Sequence, residues 1–254
     1  MTTRRYALRD DQWERIQDLL PGSQGWVGVT ATDNRLFVEA VLYRYRAGMP
    51  WRDLPERFGH YRKIHTRFRR WAKTGVWERV FQALASDADN EYQMIDSTIV
   101  RAHQHSTGAK GGDAHAQSIG RSKGGLSTKI HATCDALGNP TGFHLTPGQA
   151  CDLDGADVLL ADIPTDTVLA DKAYDADERV IERLAVQGKT AVIPPKRNRK
   201  TPREYDRDLY KARHLIENFF AKLKQYRAIA TRYDKLAETF LSAIYMAASV
   251  IWLI

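Results

Sequence analysis

Four residues near the C-terminal end of the chain, Tyr210, Arg213, Glu217 and Lys224, are spaced as a helix would align them. At about 100° per residue they fall within an arc of about 60°, and Leu215, Ile216, Phe219, Phe220 and Leu223 cover the neighbouring arc. One stripe of YKARHLIENFFAKLKQYR (Tyr210 to Arg227) would therefore pack, while the adjoining stripe presents a phenol, a guanidinium, a carboxylate and an ammonium together. A carboxylate at the edge of a core beside two cations suits a metal and a phosphodiester. A surface helix laced with i,i+4 ion pairs would have a similar composition, so the rest of the chain has to decide.

Two aspartates sharpen the question. Asp96 interrupts the apolar run around Met94, Ile95, Ile99 and Val100, and Asp171 stands where a second apolar run, TVLADKAY, ends. An ionised carboxylate in such a place is costly unless it is paired or bound to metal. Structural salt bridges are one solution, Asp96 with Arg101 or Lys129 and Asp171 with Lys172. The other places Asp96, Asp171 and Glu217 around one or two divalent cations. Hard oxygen ligands suit Mg²⁺ or Mn²⁺. Two such ions about 4 Å apart could activate a water and stabilise the leaving oxygen of an in-line phosphodiester displacement.

The elements that must position these acids can be read in outline. EYQMIDSTIVRAH reads as a buried strand, and LSTKIHATCDALGNP with TGFHLTPG as an antiparallel hairpin about Gly138-Asn139. A helix near Leu153 to Ile163, the strand ending near Asp171, a helix to about Gln187 and the strand TAVIPP follow. Asp175 and Glu178 have capping-box spacing for the second of these helices. The basic loop KRNRKTPR (Lys196 to Arg203) then leads into the Tyr210 helix. This order resembles the ribonuclease H fold: α/β, a mixed sheet with flanking helices. Between the first strand and the hairpin lies a glycine-rich loop, Gly108 to Gly125, with Lys110, Arg121 and Lys123. Arg121 and Lys123 are expected to meet DNA near the acids.

Before Glu91 the chain reads as all-α. Residues 10–20 form a short helix stopped by Pro21-Gly22, Asp33 to Arg46 a second, and Trp51 to Gly59 a turn with a short helix. In residues 61–73, Tyr61, Ile64, Phe68 and Trp71 share one face. Arg62, Lys63, Arg67, Arg69, Arg70 and Lys73 spread over the other, with no acid among them. Phosphates would relieve the repulsion of six like charges, and short helices ending in a basic one look like a helix-turn-helix. A boundary at Asp87 to Asn90 divides a helical DNA-binding domain, 1–88, from a catalytic domain, 89–254.

Composition agrees. The 254 residues are 43% hydrophobic and 27% charged, as in a soluble globular protein, and 38 basic against 31 acidic residues leave a net charge of +7. Such an excess favours a polyanion as partner, nucleic acid first. Cys134 and Cys151 match no spaced metal motif and read as reduced thiols of a cytoplasmic protein. His103 and His105 lack further ligands at zinc spacing. The apolar run Phe240 to Ile254 is short for a membrane span and reads as a buried C-terminal helix.

IDST with Asp96, LADKAYD with Asp171, and Tyr-(2)-Arg-(3)-Glu-(6)-Lys met by Tyr210, Arg213, Glu217 and Lys224 resemble the motifs of bacterial DDE transposases, in particular the insertion sequence five family. The likeness covers nearly the whole chain, since WRDLPERFG and the basic helix also resemble those enzymes' N-terminal DNA-binding segment. It implies that Asp96, Asp171 and Glu217 hold the metal ions, that Arg213 and Lys224 grip phosphates near the element's end, and that Tyr210 contacts the cleaved phosphate or a displaced base. It implies recognition of terminal inverted repeats, metal-dependent cleavage, strand transfer into target DNA, and at least a homodimer when two ends are brought together. Alanine stands at 173 where relatives more often have glycine, so the turn after Asp171 must form without glycine's freedom. A non-cutting DNA-binding protein and a simple metal-dependent nuclease are the alternatives; joined DNA products separate them.

Overall fold

A computed structural model describes residues 6–23, 31–108 and 116–254. In chain order the helices α1 (Asp10–Glu14), α2 (Asn34–Ala47), α3 (Tyr61–Lys73) and α4 (Val76–Ala85) come first. Strands β1 (Gln93–Ala102), β2 (Gly120–Ser122), β3 (Gly125–Cys134) and β4 (Pro140–Pro147) follow, then α5 (Asp152–Leu159), β5 (Thr167–Leu169), α6 (Glu182–Val186) and β6 (Thr190–Val192). The chain closes with α7 (Arg207–Tyr210), α8 (His214–Lys224), α9 (Arg227–Ala230) and α10 (Ala237–Trp252). Packing separates a helical unit (Met1–Ser86, His103–Ala109, Lys222–Ile254) from a sheet unit (Asp87–Ala102, Lys110–Ala221).

In the helical unit α2 begins where the Asp33 carboxylate accepts a hydrogen bond from Leu36 N, 2.8 Å away. It ends at Gly48, whose φ of 73° is left-handed. A Cβ at Gly48 would also stand 2.7 Å from Cβ of Arg227, so glycine is required there twice over. Ile64, Phe68 and Trp71 of α3 are buried as their spacing predicts, with Trp71 edge-on to Phe37 at 4.9 Å. The apolar C-terminal run forms α10, nearly all buried, which packs against α3 and α4. Tyr45 donates to Asp234 at 2.9 Å, and Tyr245 to Glu78 at 3.2 Å. Packing thus groups residues 222–254 with the N-terminal helices, whereas chain order had assigned them to the 89–254 segment. The physical reason is that the buried, apolar α10 packs chiefly against α4 and α3. No helix among the described residues is long and apolar enough to cross a membrane.

The sheet unit runs β4-β3-β1-β5-β6. β3 lies antiparallel to β1 and β4, β5 parallel to β1 and β6, and β2 folds back on the start of β3. This is the expected mixed sheet. Successive side chains of a strand face opposite sides. On β4, Gly142 lies against Leu159 of α5, and Phe143 stacks 5.8 Å from Phe219 of α8. Helices therefore cover both faces. Ile95 joins Ala156, Leu160, Val168, Val180 and Leu184 in the core under α5.

The helix expected to run unbroken from Tyr210 to Arg227 is instead α7, a 3₁₀ turn at Lys211–Arg213, α8, and α9 after a break at Gln225 and Tyr226. Of the expected stripe, Arg213 and Glu217 meet across the turn, the guanidinium donating to Oε1 at 3.2 Å. Trp51 to Gly59, expected as a turn and helix, forms two 3₁₀ turns.

Candidate active site

Asp96 sits on β1 opposite Ala132. Ser97 N donates to its Oδ1 at 2.7 Å, and Arg213 Nη2 donates to its Oδ2 at 3.0 Å. The same guanidinium nitrogen donates to Oε1 of Glu217 at 3.2 Å. Two carboxylates far apart in the chain thus meet on one guanidinium. Burial raises the Asp96 carboxyl from 3.8 to about 6; Arg213 opposes the rise, while Asp171 and Asp152 add to it. Asp171 lies close enough to bias Asp96, and its own Oδ1 accepts from Ala173 N at 2.8 Å. Ala173 adopts no left-handed backbone, so the turn after Asp171 does not need glycine's freedom.

Of the ion pairs considered from the sequence, the i,i+4 pair Arg213–Glu217 forms, whereas none of those considered for Asp96 and Asp171 forms among the described residues. Lys129 instead donates to Asp152 Oδ1 at 2.8 Å and to Ala150 O at 2.6 Å, and Ser97 Oγ donates to the same Asp152 oxygen at 2.5 Å. Asp152 therefore ties α5 to β1 and β3 directly behind Asp96. Sequence reasoning missed it, because an acid opening a helix reads as an ordinary cap. Tyr174, three residues past Asp171, was also missed. It is fully buried, and its hydroxyl has no partner among the described residues.

Tyr210 is half-buried, edge-on to Tyr205 at 5.6 Å. Burial raises its hydroxyl, Arg213 opposes, and Asp171 is among the charges that add, which places it in the field of the acids. Lys224 is exposed at the end of α8 and belongs to the helical unit. Arg121 and Lys123 are exposed on and beside β2, and Lys110 lies outside the described residues.

Asp96, Asp171 and Glu217 offer only hard oxygen donors, a set that suits a divalent cation. As they stand, no three acidic, His or Cys side chains among the described residues converge as metal ligands, and Arg213 bonds both Asp96 and Glu217. The Asp96 carboxyl is raised chiefly by burial, which Arg213 only partly offsets. The residues fit a cation provided Arg213 moves aside.

Asp175 does not cap a helix as its spacing predicted. It is buried, and its carboxylate accepts from Lys196 N at 2.7 Å, from Arg199 at 2.7 and 2.8 Å, and from Arg203. Burial would raise Asp175, but these bonds and charges outweigh it and hold the carboxyl below its ordinary value. The KRNRKTPR loop is anchored through this one acid.

On α3, Arg62, Lys63, Arg69, Arg70 and Lys73 are exposed. Arg67 is not part of that face. Its guanidinium lies 4.2 Å from the Phe37 ring and 4.8 Å from that of Trp71, and it bonds Asn34. Its expected place on the basic face fails because position 67 borders the apolar stripe, where a long side chain folds back over aromatic rings. Beside α3 runs a groove of Trp51, Tyr61 and His65 rimmed by Arg52, Arg62 and Lys235, with no acidic residue lining it among the described residues.

The sheet unit is thus an α/β domain, a mixed sheet with helices on both faces that carries carboxylates beside an arginine. Residues 89–252 match the family described as "Transposase DDE domain", and residues 8–81 match "Putative transposase of IS4/5 family". The chain belongs to the DDE transposase family and has that family's ribonuclease H-like fold. A "Putative transposase for insertion sequence element IS6501" from Brucella ovis is 40% identical over 129 residues, covering 50% of this chain and 99% of that protein. "Uncharacterized protein y4sN" of Sinorhizobium fredii is 52% identical over 104 residues, covering 41% of this chain and 83% of that protein. The "Insertion element IS402 uncharacterized 16.2 kDa protein" of Burkholderia cepacia is 30% identical over 107 residues, 37% of this chain and 73% of its own. No solved structure matches. The protein is thus a DDE-type transposase, an enzyme that acts on DNA and depends on a divalent metal.

Proposed function

We propose that this transposase recognises the terminal inverted repeats of its own insertion sequence, cleaves at the element's end and joins the exposed 3′-hydroxyl to target DNA. The observation that carries the reading is the meeting of Asp96 and Glu217 on the Arg213 guanidinium, with Asp171 in electrostatic reach. Asp96, Asp171 and Glu217 hold the catalytic cation, Mg²⁺ or Mn²⁺, with two ions in this reading. When bound, such a cation activates a water or hydroxyl and stabilises the oxygen that leaves.

The chain's own residues do the rest. Without DNA, Arg213 neutralises two acids that would otherwise repel. When a phosphodiester arrives, the guanidinium turns to its oxygens as a charge-assisted donor and frees the carboxylates. Lys224 grips a neighbouring phosphate, and Tyr210 contacts the cleaved phosphate or stacks on a displaced base. Arg121 and Lys123 meet the backbone beside the acids. α3 serves as the recognition element of a helix-turn-helix, with Arg62, Lys63, Arg69, Arg70 and Lys73 on phosphates. Two ends are brought together by a homodimer or larger assembly.

Incubating the protein with labelled element ends, unlabelled target DNA and Mg²⁺ tests this directly. Joined products are expected. Cleaved ends without joining would mark a nuclease, and binding without cleavage would mark a regulatory DNA-binding protein.

A further inference from the structure

The groove beside α3 lies entirely within the helical unit and measures about 730 Å³, room for a ligand of nucleotide size. Its wall is aromatic: Trp51, Tyr61 and His65, each half-buried. Trp51 packs 5.1 Å from His65 and 5.8 Å from the buried Phe68, which holds the wall from behind. His60 stacks on Tyr61 at 5.0 Å with 18° between the planes, and Arg62 Nε donates to the Tyr61 hydroxyl at 3.2 Å. Those contacts set the plane of the ring before any ligand arrives. Burial, helped by Arg69, lowers His65 from 6.5, so this ring is uncharged at neutral pH.

The rim is basic. Arg52, Arg62 and Lys235 border the rings, and no acidic residue lines the groove among the described residues. Behind Trp51 stands a further cation. The Arg44 guanidinium lies 4.9 Å from the Trp51 ring and is buried, and its Nε and Nη1 have no hydrogen-bond partner among the described residues. Asp234 Oδ2 stands 3.6 Å from Nη1 and already accepts from the Tyr45 hydroxyl at 2.9 Å. Flat apolar surface is thus combined with positive charge on the rim and behind the wall. A duplex would offer its phosphates to the rim but keep its base faces stacked away from the rings. An unpaired nucleotide supplies both, a π face for the rings and phosphates for the cations.

We propose that this groove binds one unpaired nucleotide of DNA, its base seated against Trp51, Tyr61 and His65 and its flanking phosphates held by Arg52, Arg62 and Lys235. Charge complementarity selects the occupant: a polyanion suits the rim, and among polyanions only a nucleic acid carries a flat ring beside every phosphate. The exposed cations Lys63, Arg69 and Arg70 continue the positive face along α3. The proposal goes beyond the duplex contacts read for that helix. Those need phosphates only, whereas this site takes a base that has left its stack.

The test uses the full chain and a fluorescent oligothymidylate about ten nucleotides long, beside the same strand made abasic and a blunt duplex of the element's end. The abasic strand keeps the phosphates and lacks the rings. The wild type should bind the thymidylate about five- to a hundredfold more tightly than the abasic strand, the size of a stacking contribution. Tyr61→Leu should cut that preference about fivefold or more while leaving abasic and duplex affinities unchanged, and Tyr61→Phe should retain it. Lys235→Gln should weaken both strands alike and lower the log–log salt slope by about 0.7. With 5-iodouracil in place of thymine, irradiating the wild type should cross-link the strand to a peptide carrying Trp51 or Tyr61. Equal affinity of the wild type for the two strands overturns the proposal, as does an unaltered preference in Tyr61→Leu. Equal loss on all three DNAs also overturns it and makes Tyr61 a support of α3. Cross-links confined to the sheet unit overturn it whatever the variants do. Tighter, Tyr61-dependent binding of a glutamate–tyrosine copolymer would assign the groove to a protein partner instead.

Discussion

Asp96→Asn separates an acid kept for chemistry from an acid kept for stability. In the metal-free protein the Asp96 side chain is 17% exposed, and its carboxyl is raised from 3.8 to about 6 even with Arg213 at 3.0 Å. A native carboxyl that holds its proton more tightly than the unfolded chain makes stability fall as pH rises between those two values. At about 1.4 kcal/mol per pH unit, the ionised form is disfavoured in the fold by about 3 kcal/mol above pH 7. Asparagine keeps the shape and removes that penalty. It loses the charge partner of Arg213, which Glu217 still engages, so the gain is somewhat smaller than about 3 kcal/mol. Melting in EDTA should therefore rise by roughly 6 °C near pH 8, and the gain should vanish as pH falls to about 4. The assay is differential scanning calorimetry of both proteins across that range. A lower melting temperature for Asp96→Asn at pH 8 would refute the reasoning and make Asp96–Arg213 an ordinary stabilising ion pair.

Four further variants test other parts of the fold. Replacing Arg69 and Arg70 by alanine should lower the log–log salt slope of end binding by about 0.9 for each phosphate no longer neutralised, at unchanged melting temperature. Arg67→Ala should do the reverse, costing about 1–2 kcal/mol of stability because the cation no longer covers the Phe37 and Trp71 rings or bonds Asn34; equal behaviour of Arg67 and Arg69 would contradict the division of α3 into two roles. Asp175→Ala should free Arg199 and Arg203 and expose the 196–203 loop to trypsin; in the wild type, protection should be present above pH 4 and lost as Asp175 protonates in more acidic solution, as expected for a carboxyl held below its ordinary value. Lys224→Ala should leave Mn²⁺ binding and melting intact but slow single-turnover cleavage about ten- to a hundredfold, and normal cleavage would remove it from the DNA path.

What the sequence disclosed and what it withheld divide along physical lines. Local periodicity and turn chemistry placed the strand of Asp96, the hairpin at Gly138, and the buried faces of α3 and α10, because those depend on residues a few positions apart. The acids were legible because an isolated aspartate in an apolar run is anomalous wherever the chain goes. Their partners were not. Arg213 reaches Asp96 across 117 positions and Asp152 reaches Ser97 across 55, and spacing carries no information over such distances. Sequence reasoning therefore offered the nearby Arg101 and Lys172, and Lys129 of the next long strand, none of which pairs with Asp96 or Asp171 among the described residues. Asp175 was misread for the opposite reason: a local capping pattern fits its spacing, but a buried carboxylate facing Arg199 and Arg203 gains more from two guanidinium groups than from one helix end. Arg67 shows the limit of a helical wheel, which assigns a face by the Cα position while a long side chain can fold over the neighbouring one.

The proposed chemistry stands or falls on the three acids acting together. Single-turnover cleavage of labelled element ends in Mg²⁺ by Asp96→Asn, Asp171→Asn and Glu217→Gln, each matched to the wild type for end binding, measures this. Every one of the three should bind the end with near wild-type affinity and leave it uncut. Cleavage near the wild-type rate by any one of them would contradict the assignment of that carboxylate to the metal and, with it, the reading of Arg213 as a guanidinium standing where the cation belongs.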